Sequence, residues 1–287
     1  MTIDAGLETP RPPAGRGFSD AITFAFGDEA ADVYGLARVG LADGAGSGLG
    51  VLFAGRSTAA ARAEGGVAVS GDGWEGVAAG GVTTATAEPL QRWTVAFDAD
   101  ADGAFALEFT ALGLPAEIEG GGMTGYEQLC RVSGTARVAG RSVAIDCLGQ
   151  RGHSWGSPDW DRMSMARTVG AWLDPALAVV ISAIRPSKAS DHAHDDVRAV
   201  VLEGSPPAPV AVGEPRLSTA FDADGHQRRA GWELWPDDEE GYARRGAGEV
   251  LCGTSLDLGR LRLDCAFFRF RMDGREGVGR YDVLRRT

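Results

Sequence analysis

The sequence predicts an all-β protein made of short antiparallel strands. Its 42 glycines and its lack of long segments with helical periodicity argue against a helical fold. Apolar and polar residues alternate instead in short runs separated by tight turns, which is typical of strands with one buried face. No glycine-rich phosphate loop follows a strand, so a nucleotide-binding fold has no support. A sandwich or barrel is therefore expected.

Six hairpins can be recognised in chain order, each from two alternating segments and a turn between them. In the segment WTVAF, for example, Trp93, Val95 and Phe97 share one face of a strand. The hairpins are GLARVGLADGAGSGLGVLFAG with a longer glycine loop, WTVAF with FALEF around an acidic turn, GTARVAGRSVAID turning near Ala139–Gly140, AWLDPALAVVISAI turning at Asp174–Pro175, LSTAFDADGHQRRAGWELW turning at Asp224–Gly225, and GTSLDLGRLRLDCAFFRFRM turning through Gly259.

Length and charge limit the possible functions. The chain has 287 residues, 44% of them hydrophobic, and a net charge of −12, so a nucleic-acid partner is not expected. No apolar run approaches the ~20 residues that span a bilayer, which argues against integral membrane insertion. Residues 1–17 are rich in proline and glycine and lack a secretory signal pattern, so we expect a disordered lead-in and a cytoplasmic location. The oligomeric state stays open.

Three polar or cysteine-containing features favour structural explanations over metal sites. The segment DADADG begins like a calcium loop, but Phe109 stands where the bidentate glutamate belongs, so a solvated turn is expected. The segment DHAHDD contains His192 and His194 without a third ligand at metal spacing, which indicates a solvated loop. The four cysteines include no CxxC pair, and Cys265 alternates in step with apolar neighbours, so reduced buried thiols are expected.

The stretch GQRGHSWGSPDW, residues 149–160, concentrates chemically active side chains. In an extended strand His153 and Trp155 lie on the same face. The pair Ser157–Pro158 ends the strand in a turn that can redirect Asp159 and Trp160. The upstream segment GYEQLCRVSG adds further polar and aromatic candidates.

Two interpretations of this stretch stay open at the level of sequence. In the first, Trp155 and Trp160 plug the end of a barrel while Arg151 and Asp159 form an ion pair. In the second, the same residues line a ligand pocket, because Trp and Tyr offer apolar rings with one donor each.

The segment GYEQLCRVSGTARVAGRSVAIDCLGQRGHSWGSPDW resembles the central signature of lipocalin-like proteins related to carotenoid 1,2-hydratase, also called hydroxyneurosporene synthase. The late segment FRFRMDGREGVGRYDVL is similar to their closing strands. The resemblance implies two tandem lipocalin-like antiparallel β-barrel domains, which we place at residues 18–147 and 148–287. Gly152, where an aspartate is frequent, and Ser157–Pro158, where an arginine often precedes Asp-Trp, depart from the pattern.

The resemblance implies binding of a hydrophobic small molecule, an isoprenoid, polyene or polyketide, with hydration, isomerisation or cyclisation of a C=C system. No cofactor or metal is expected. The alternatives are a non-catalytic carrier of a lipid or pigment and a purely structural protein. A neutral carboxylic acid could supply a proton, so the candidate catalytic residues are Asp159, His153 and Glu127. The candidate substrate-binding residues are Tyr126, Gln128, Trp155, Trp160 and Trp172.

Overall fold

The computed structural model describes residues 3–236 and 242–287 and confirms the all-β class. Three short 3-10 helices accompany the strands in the described part of the chain; they cover Ala5–Glu8, Trp74–Gly76 and His192–His194. The strands are β1 Ser19–Asp28, β2 Val33–Ala42, β3 Ala45–Ala54, β4 Ser57–Val67, β5 Val82–Glu88, β6 Arg92–Asp98, β7 Gly103–Ala111, β8 Ala116–Gly120, β9 Met123–Val138, β10 Arg141–Gly156, β11 Met163–Asp174, β12 Leu177–Pro186, β13 Asp196–Gly204, β14 Pro207–Phe221, β15 Gln227–Pro236, β16 Arg244–Asp257, β17 Leu261–Met272 and β18 Arg275–Arg286.

The chain forms two compact units, and one of them is discontinuous in sequence. The first unit contains Met1–Pro115 and Met123–Pro158, and the second contains Ala116–Gly122 and Asp159–Thr287. The boundary expected between residues 147 and 148 falls inside β10, which runs unbroken from Arg141 to Gly156. The division comes instead after Pro158, because a strand that stays paired along its whole length belongs to one sheet.

The first unit is a curled antiparallel sheet with the strand order β4-β3-β2-β1-β10-β9-β7-β6-β5. Among the described residues this sheet is open between β4 and β5, so the first of the two predicted barrel-like domains is a curled half-barrel. The curl brings β3 over β6, where a Cβ on Gly50 would lie 2.1 Å from the ring of Phe97. The interior is filled by aromatic and branched side chains, including the edge-to-face pairs Phe24–Phe109 and Phe26–Phe105.

The second unit contains a closed barrel of β11 to β18 in sequential order, as the barrel prediction requires. The barrel closes because β11 pairs with both β12 and β18. Its core is formed by inward-facing residues such as Val169, Ile181, Phe268 and Tyr281. All four cysteines are free, and three of them are buried, as expected for structural thiols.

The hairpins turn where the sequence predicts, with one exception. β9 and β10 are joined by Ala139 (φ 49°) and Gly140 (φ 74°), and two consecutive residues with positive φ form the tight turn that suits twisted strands. The longer glycine loop expected between β2 and β3 is wrong. The connection is a second tight turn of the same kind, Asp43–Gly44, and the following glycines belong to β3. No helix in residues 3–236 and 242–287 is long and apolar enough to cross a membrane.

Candidate functional site

The signature residues lie on β9 and β10, which are paired side by side in the first unit. His153 faces Tyr126 across the ladder, and Arg151 faces Gln128. Because side chains alternate along a strand, these four residues and Trp155 all point to the interior face of the sheet. The structure therefore brings together His153, Tyr126, Gln128 and Trp155 of the predicted site.

Arg151 and Tyr126 form a buried cluster around an acid from the N-terminal segment. The carboxylate Oε1 of Glu8 lies 2.9 Å from Nη1 of Arg151 and accepts a 2.7 Å hydrogen bond from the hydroxyl of Tyr126. Its Oε2 accepts a 2.6 Å hydrogen bond from the indole of Trp93. The guanidinium lies 4.8 Å from the ring of Trp93 and 4.9 Å from that of Tyr126. Burial raises the pKa of Tyr126 well above its usual value, so the hydroxyl keeps its proton at neutral pH.

His153 forms a dyad with Asp20 of β1 inside the same face. Nε2 of His153 lies 2.7 Å from Oδ1 of Asp20, and both side chains are 1% exposed or less. Since a carboxylate only accepts hydrogen bonds, this contact places the imidazole proton on Nε2. Nδ1 is buried and has no hydrogen-bond partner within the described chain. The imidazole is surrounded by the rings of Trp155 at 4.9 Å, Trp74 at 5.5 Å and Tyr126 at 5.7 Å.

The N-terminal segment covers this cluster, so the disordered lead-in expected over residues 1–17 is corrected at residues 5–8. Ala5–Glu8 form a 3-10 helix, capped by an aspartate side chain, that inserts Glu8 among the interior residues. Further along, the backbone N–H of Arg11 donates a 2.5 Å hydrogen bond to Oδ2 of Asp20. The Arg11 guanidinium lies 5.8 Å from the ring of Trp155, which is half-buried. The segment is thus fixed by the ion pair between Glu8 and Arg151, two residues too far apart in the sequence for their pairing to be predicted.

Glu127 and Gln128 are buried but differ in orientation. Glu127 points to the face of β9 opposite Tyr126, where it accepts a 2.7 Å hydrogen bond from the amide of Gln150. It therefore does not join His153 on the interior face. Gln128 donates its amide to two loop carbonyl oxygens at 3.1 and 3.3 Å, which fixes those loops to β9.

Asp159, a candidate catalytic residue, lies in an exposed turn. Its side chain is 57% exposed and lies 3.4 Å from Nε of Arg162. The proposed partner Arg151 is paired with Glu8 instead. Pro158 ends the strand as expected, but the turn directs Asp159 outward into solvent, where its carboxylate also accepts a hydrogen bond from a neighbouring backbone amide.

The remaining predicted aromatic residues do not join the described cluster. Trp160 is half-buried in the turn after Pro158. Trp172 is buried in the second unit, with its ring 6.4 Å from that of Phe267 in an edge-to-face arrangement. It lies on the opposite face of β11 from the barrel core residue Ala171, because neighbouring residues of a strand alternate in direction.

The second unit contains its own interior arginine cluster. Arg167 of β11 is fully buried and donates hydrogen bonds to Asp195 and, at 2.8 Å, to Thr219. Arg185 donates a second hydrogen bond to Asp195 at 2.8 Å. The prediction that DHAHDD forms a solvated loop is wrong at Asp195, whose side chain is fully buried. The hydroxyl of Tyr281 contacts Thr219, and burial raises its pKa.

A cavity of about 770 Å³ opens beside this second cluster. Its apolar lining includes Val197, Leu217 and Trp232, and its polar lining includes Asp195 and Arg245. The cavity lies where β13 and β14 separate, because the ladder between them covers only the last part of β13. Its volume falls in the usual range for small-molecule sites. No residue of GQRGHSWGSPDW lines it.

Comparisons with known proteins identify a family and a shared fold. The family model described as a domain of unknown function, DUF7064, matches residues 4–287. A protein assigned as AttH from Nitrosomonas europaea has 12% identity and a TM-score of 0.71, over 93% of this chain and 92% of that chain. CghA with Sch210972 has 11% identity and a TM-score of 0.68, over 94% and 89%.

A third solved structure is a named enzyme. Kievitone hydratase from Nectria haematococca has 10% identity and a TM-score of 0.64, over 94% of this chain and 89% of that chain. No curated protein sequence matches the chain. At these identities the structures share a lipocalin-like fold with this protein, and the specific relation to carotenoid hydratase stays a prediction.

Proposed function

Because the chain belongs to DUF7064, a family of unknown function, and shares its fold with a hydratase, we propose that it transforms a hydrophobic small molecule. The substrate would be an isoprenoid, a polyene or a polyketide. The reaction would be hydration, isomerisation or cyclisation of its C=C system. The observation that carries this proposal is the buried His153–Asp20 dyad, whose imidazole is surrounded by aromatic rings and whose Nδ1 has no hydrogen-bond partner within the described chain.

The dyad supports acid–base chemistry through the second nitrogen of the imidazole. With the proton on Nε2 held by Asp20, the lone pair of Nδ1 can accept a proton from water or from an activated C–H or O–H group. Asp20 then stabilises the imidazolium until the proton returns to another carbon or oxygen of the substrate. The rings of Trp155, Trp74 and Tyr126, which surround the imidazole, would stabilise the positive charge of the imidazolium.

Two residues of the predicted catalytic set are left out of this mechanism. The side chain of Asp159 is 57% exposed, so it lies in solvent rather than among the aromatic rings around His153. Glu127 points to the opposite face of β9 from Tyr126 and His153. The proton transfer is therefore assigned to His153, with Asp20 as its positioning residue.

The test compares His153→Asn with a matched neighbour. Geranylgeraniol and all-trans-retinol are incubated with the protein, and products are followed by mass spectrometry as gain of water or as an isomer of unchanged mass. His153→Asn is expected to lower the conversion rate by roughly 10²–10⁴-fold. Ser154→Ala, on the opposite face of β10, is the control and should keep the rate. If His153→Asn does not fold, Asp20→Asn is measured instead and should also lower the conversion rate. Equal rates in all folded variants would refute the mechanism.

The cavity of the second unit favours one alternative, a non-catalytic carrier. Its lining by Val197, Leu217 and Trp232 suits an apolar ligand, and no residue of the signature stretch contributes to it. A carrier would bind retinol without converting it, Trp232→Ala would weaken the binding, and His153→Asn would leave it unchanged. Titration of retinol fluorescence separates the two functions.

A further inference from the structure

Three donors of the first unit converge on a single carboxylate position. Arg151 comes from β10, Tyr126 from β9 and Trp93 from β6, so all three are held by the folded sheet. The acid that they bind, Glu8, comes from outside the sheet, on the N-terminal 3-10 helix. The sheet thus contains a complete carboxylate-binding site that a separate segment occupies.

Glu8 does not use the full capacity of this site. Nε and Nη1 of Arg151 are buried and neither makes a hydrogen bond within the described chain, although Nη1 lies 2.9 Å from Oε1 of Glu8. An arginine fork binds a carboxylate best through two parallel N–H groups, and Glu8 approaches Arg151 at Nη1. The two flanking rings hold the guanidinium in place. A carboxylate with more freedom than a tethered side chain could therefore engage Arg151 more completely.

The segment that delivers Glu8 is attached through few contacts. Residues 9–17 contain no strand, are mostly exposed and include three prolines and two glycines. Besides Glu8, the described attachments of the segment are the backbone hydrogen bonds of Arg11 with Asp20 and of Leu7 with Tyr126, and the contact of Arg11 with the Trp155 ring. Segments with few buried apolar contacts open at low free-energy cost.

We propose that the Glu8 position is the subsite for the carboxylate of an acidic hydrophobic substrate, and that the N-terminal segment is a displaceable cover carrying a competing carboxylate. The inference rests on the proposed function and names its substrate class, a polyene or isoprenoid carboxylic acid. Tyr126 contacts both Glu8 and the ring of His153, so an acid bound in place of Glu8 would direct its chain toward the dyad. Opening of the cover would also expose Asp20, because Arg11, whose backbone N–H donates a hydrogen bond to Asp20, leaves with the segment.

The experiment measures binding of trans-parinaric acid and of its methyl ester to the full chain, from the fluorescence of the bound polyene. Glu8→Ala removes the tethered competitor, whose effective concentration is on the order of millimolar, so the acid should bind about tenfold or more tightly than to the unmodified chain. The ester, which cannot pair with Arg151, should show little change. Glu88→Ala removes an exposed acid of β5 and controls for net charge. Arg151→Met in the Glu8→Ala background should abolish the gain for the acid.

A thermal measurement covers the case in which Glu8→Ala is poorly folded. Sodium acetate should raise the melting temperature of Glu8→Ala and leave that of Glu8→Gln nearly unchanged, because only the alanine variant has an empty carboxylate position. The inference is overturned if Glu8→Ala raises the affinity for the acid and for the ester equally, or if a folded Glu8→Ala variant binds the acid no more tightly than the unmodified chain. It is also overturned if Glu8→Ala is unstable and acetate does not raise its melting temperature. Binding is read without turnover, so loss of conversion in His153→Asn, which tests the proposed function, is a separate result.

Discussion

Gly152 lies directly against the carboxylate of Glu127, and the substitution Gly152→Ala tests this contact. A Cβ placed on Gly152 would lie 2.2 Å from Oε2 and 2.5 Å from Cδ of Glu127, whereas real Cβ atoms essentially never approach within 3.0 Å. The backbone of β10 is held by its ladders with β1 and β9, so the side chain of Glu127 must move.

The cost of this movement follows from what Glu127 loses. Its 2.7 Å hydrogen bond from Gln150 is buried, and a hydrogen bond to a charged group contributes about 1.5–3 kcal/mol. Crowding of a well-packed site adds about 1–3 kcal/mol when relaxation is incomplete. Gly152→Ala should therefore lower the free energy of unfolding by about 2.5–6 kcal/mol, which corresponds to a melting temperature lower by roughly 5–24 °C.

The assay is urea unfolding of the single variants Gly152→Ala and Glu127→Ala and of the double variant. In the Glu127→Ala background the added methyl group meets no carboxylate, so most of its cost should disappear. The coupling free energy from this cycle should be at least about 1 kcal/mol. An equal loss from Gly152→Ala in both backgrounds would refute the reasoning and assign the cost to the backbone of β10.

Three further outcomes are expected elsewhere in the chain. Asp159→Asn should change the free energy of unfolding by less than about 0.5 kcal/mol in thermal melts, because its ion pair is exposed. Burial raises the pKa of the Cys130 thiol to about 12, so a thiol reagent should leave it unmodified at pH 8 in the folded protein. Since the unfolded chain loses this proton first, near pH 9, stability should fall between about pH 9 and 12 in denaturant titrations. Arg167→Met leaves the buried Asp195 short of a partner and should cost about 3–5 kcal/mol in urea unfolding, whereas Arg198→Met on the surface should cost little. An unperturbed Arg167→Met variant would contradict this account of the interior cluster.

The strands could be predicted because their signals are local. Alternation in WTVAF and FALEF marks β6 and β7, and the pair Ala139–Gly140 adopts the positive φ values that a tight turn needs. The sequence pattern predicts a loop for the glycines of β3, because it does not show the reason for glycine there, which is contact with another strand. Gly50 makes room for the ring of Phe97, which belongs to β6. Such a contact between distant segments leaves no trace in local composition.

The candidate site could be predicted only in part, for the same reason. Period-two alternation correctly places His153 and Trp155 on one face, together with Arg151. The acids that complete the site, Glu8 and Asp20, lie more than a hundred residues earlier, and Glu8 stands in a segment whose composition indicates disorder. Their pairing depends on the curl of the whole sheet, which no local pattern encodes.

In the second unit, the sequence pattern around one charged residue, Arg167, does predict that its side chain points into the core. In MSMARTVGAW, Arg167 alternates in step with Met165 and Val169, which are core residues. A charge at an inward position requires a buried partner, so the sequence could have indicated an interior acid. The identity of that acid, Asp195, could not follow, because it arrives from the loop between β12 and β13.

The seam between β11 and β18 has a consequence for how the protein is made. The barrel of the second unit closes only when the last strand of the chain pairs with the first strand of that barrel. During synthesis β11 is translated before its partner, so its edge stays exposed until β18 has also been translated. Pairing between segments so far apart in sequence is also slow. Folding of this half is therefore expected to depend on protection of the β11 edge until β18 is available, and deletion of β18 should produce an aggregation-prone chain rather than a smaller barrel.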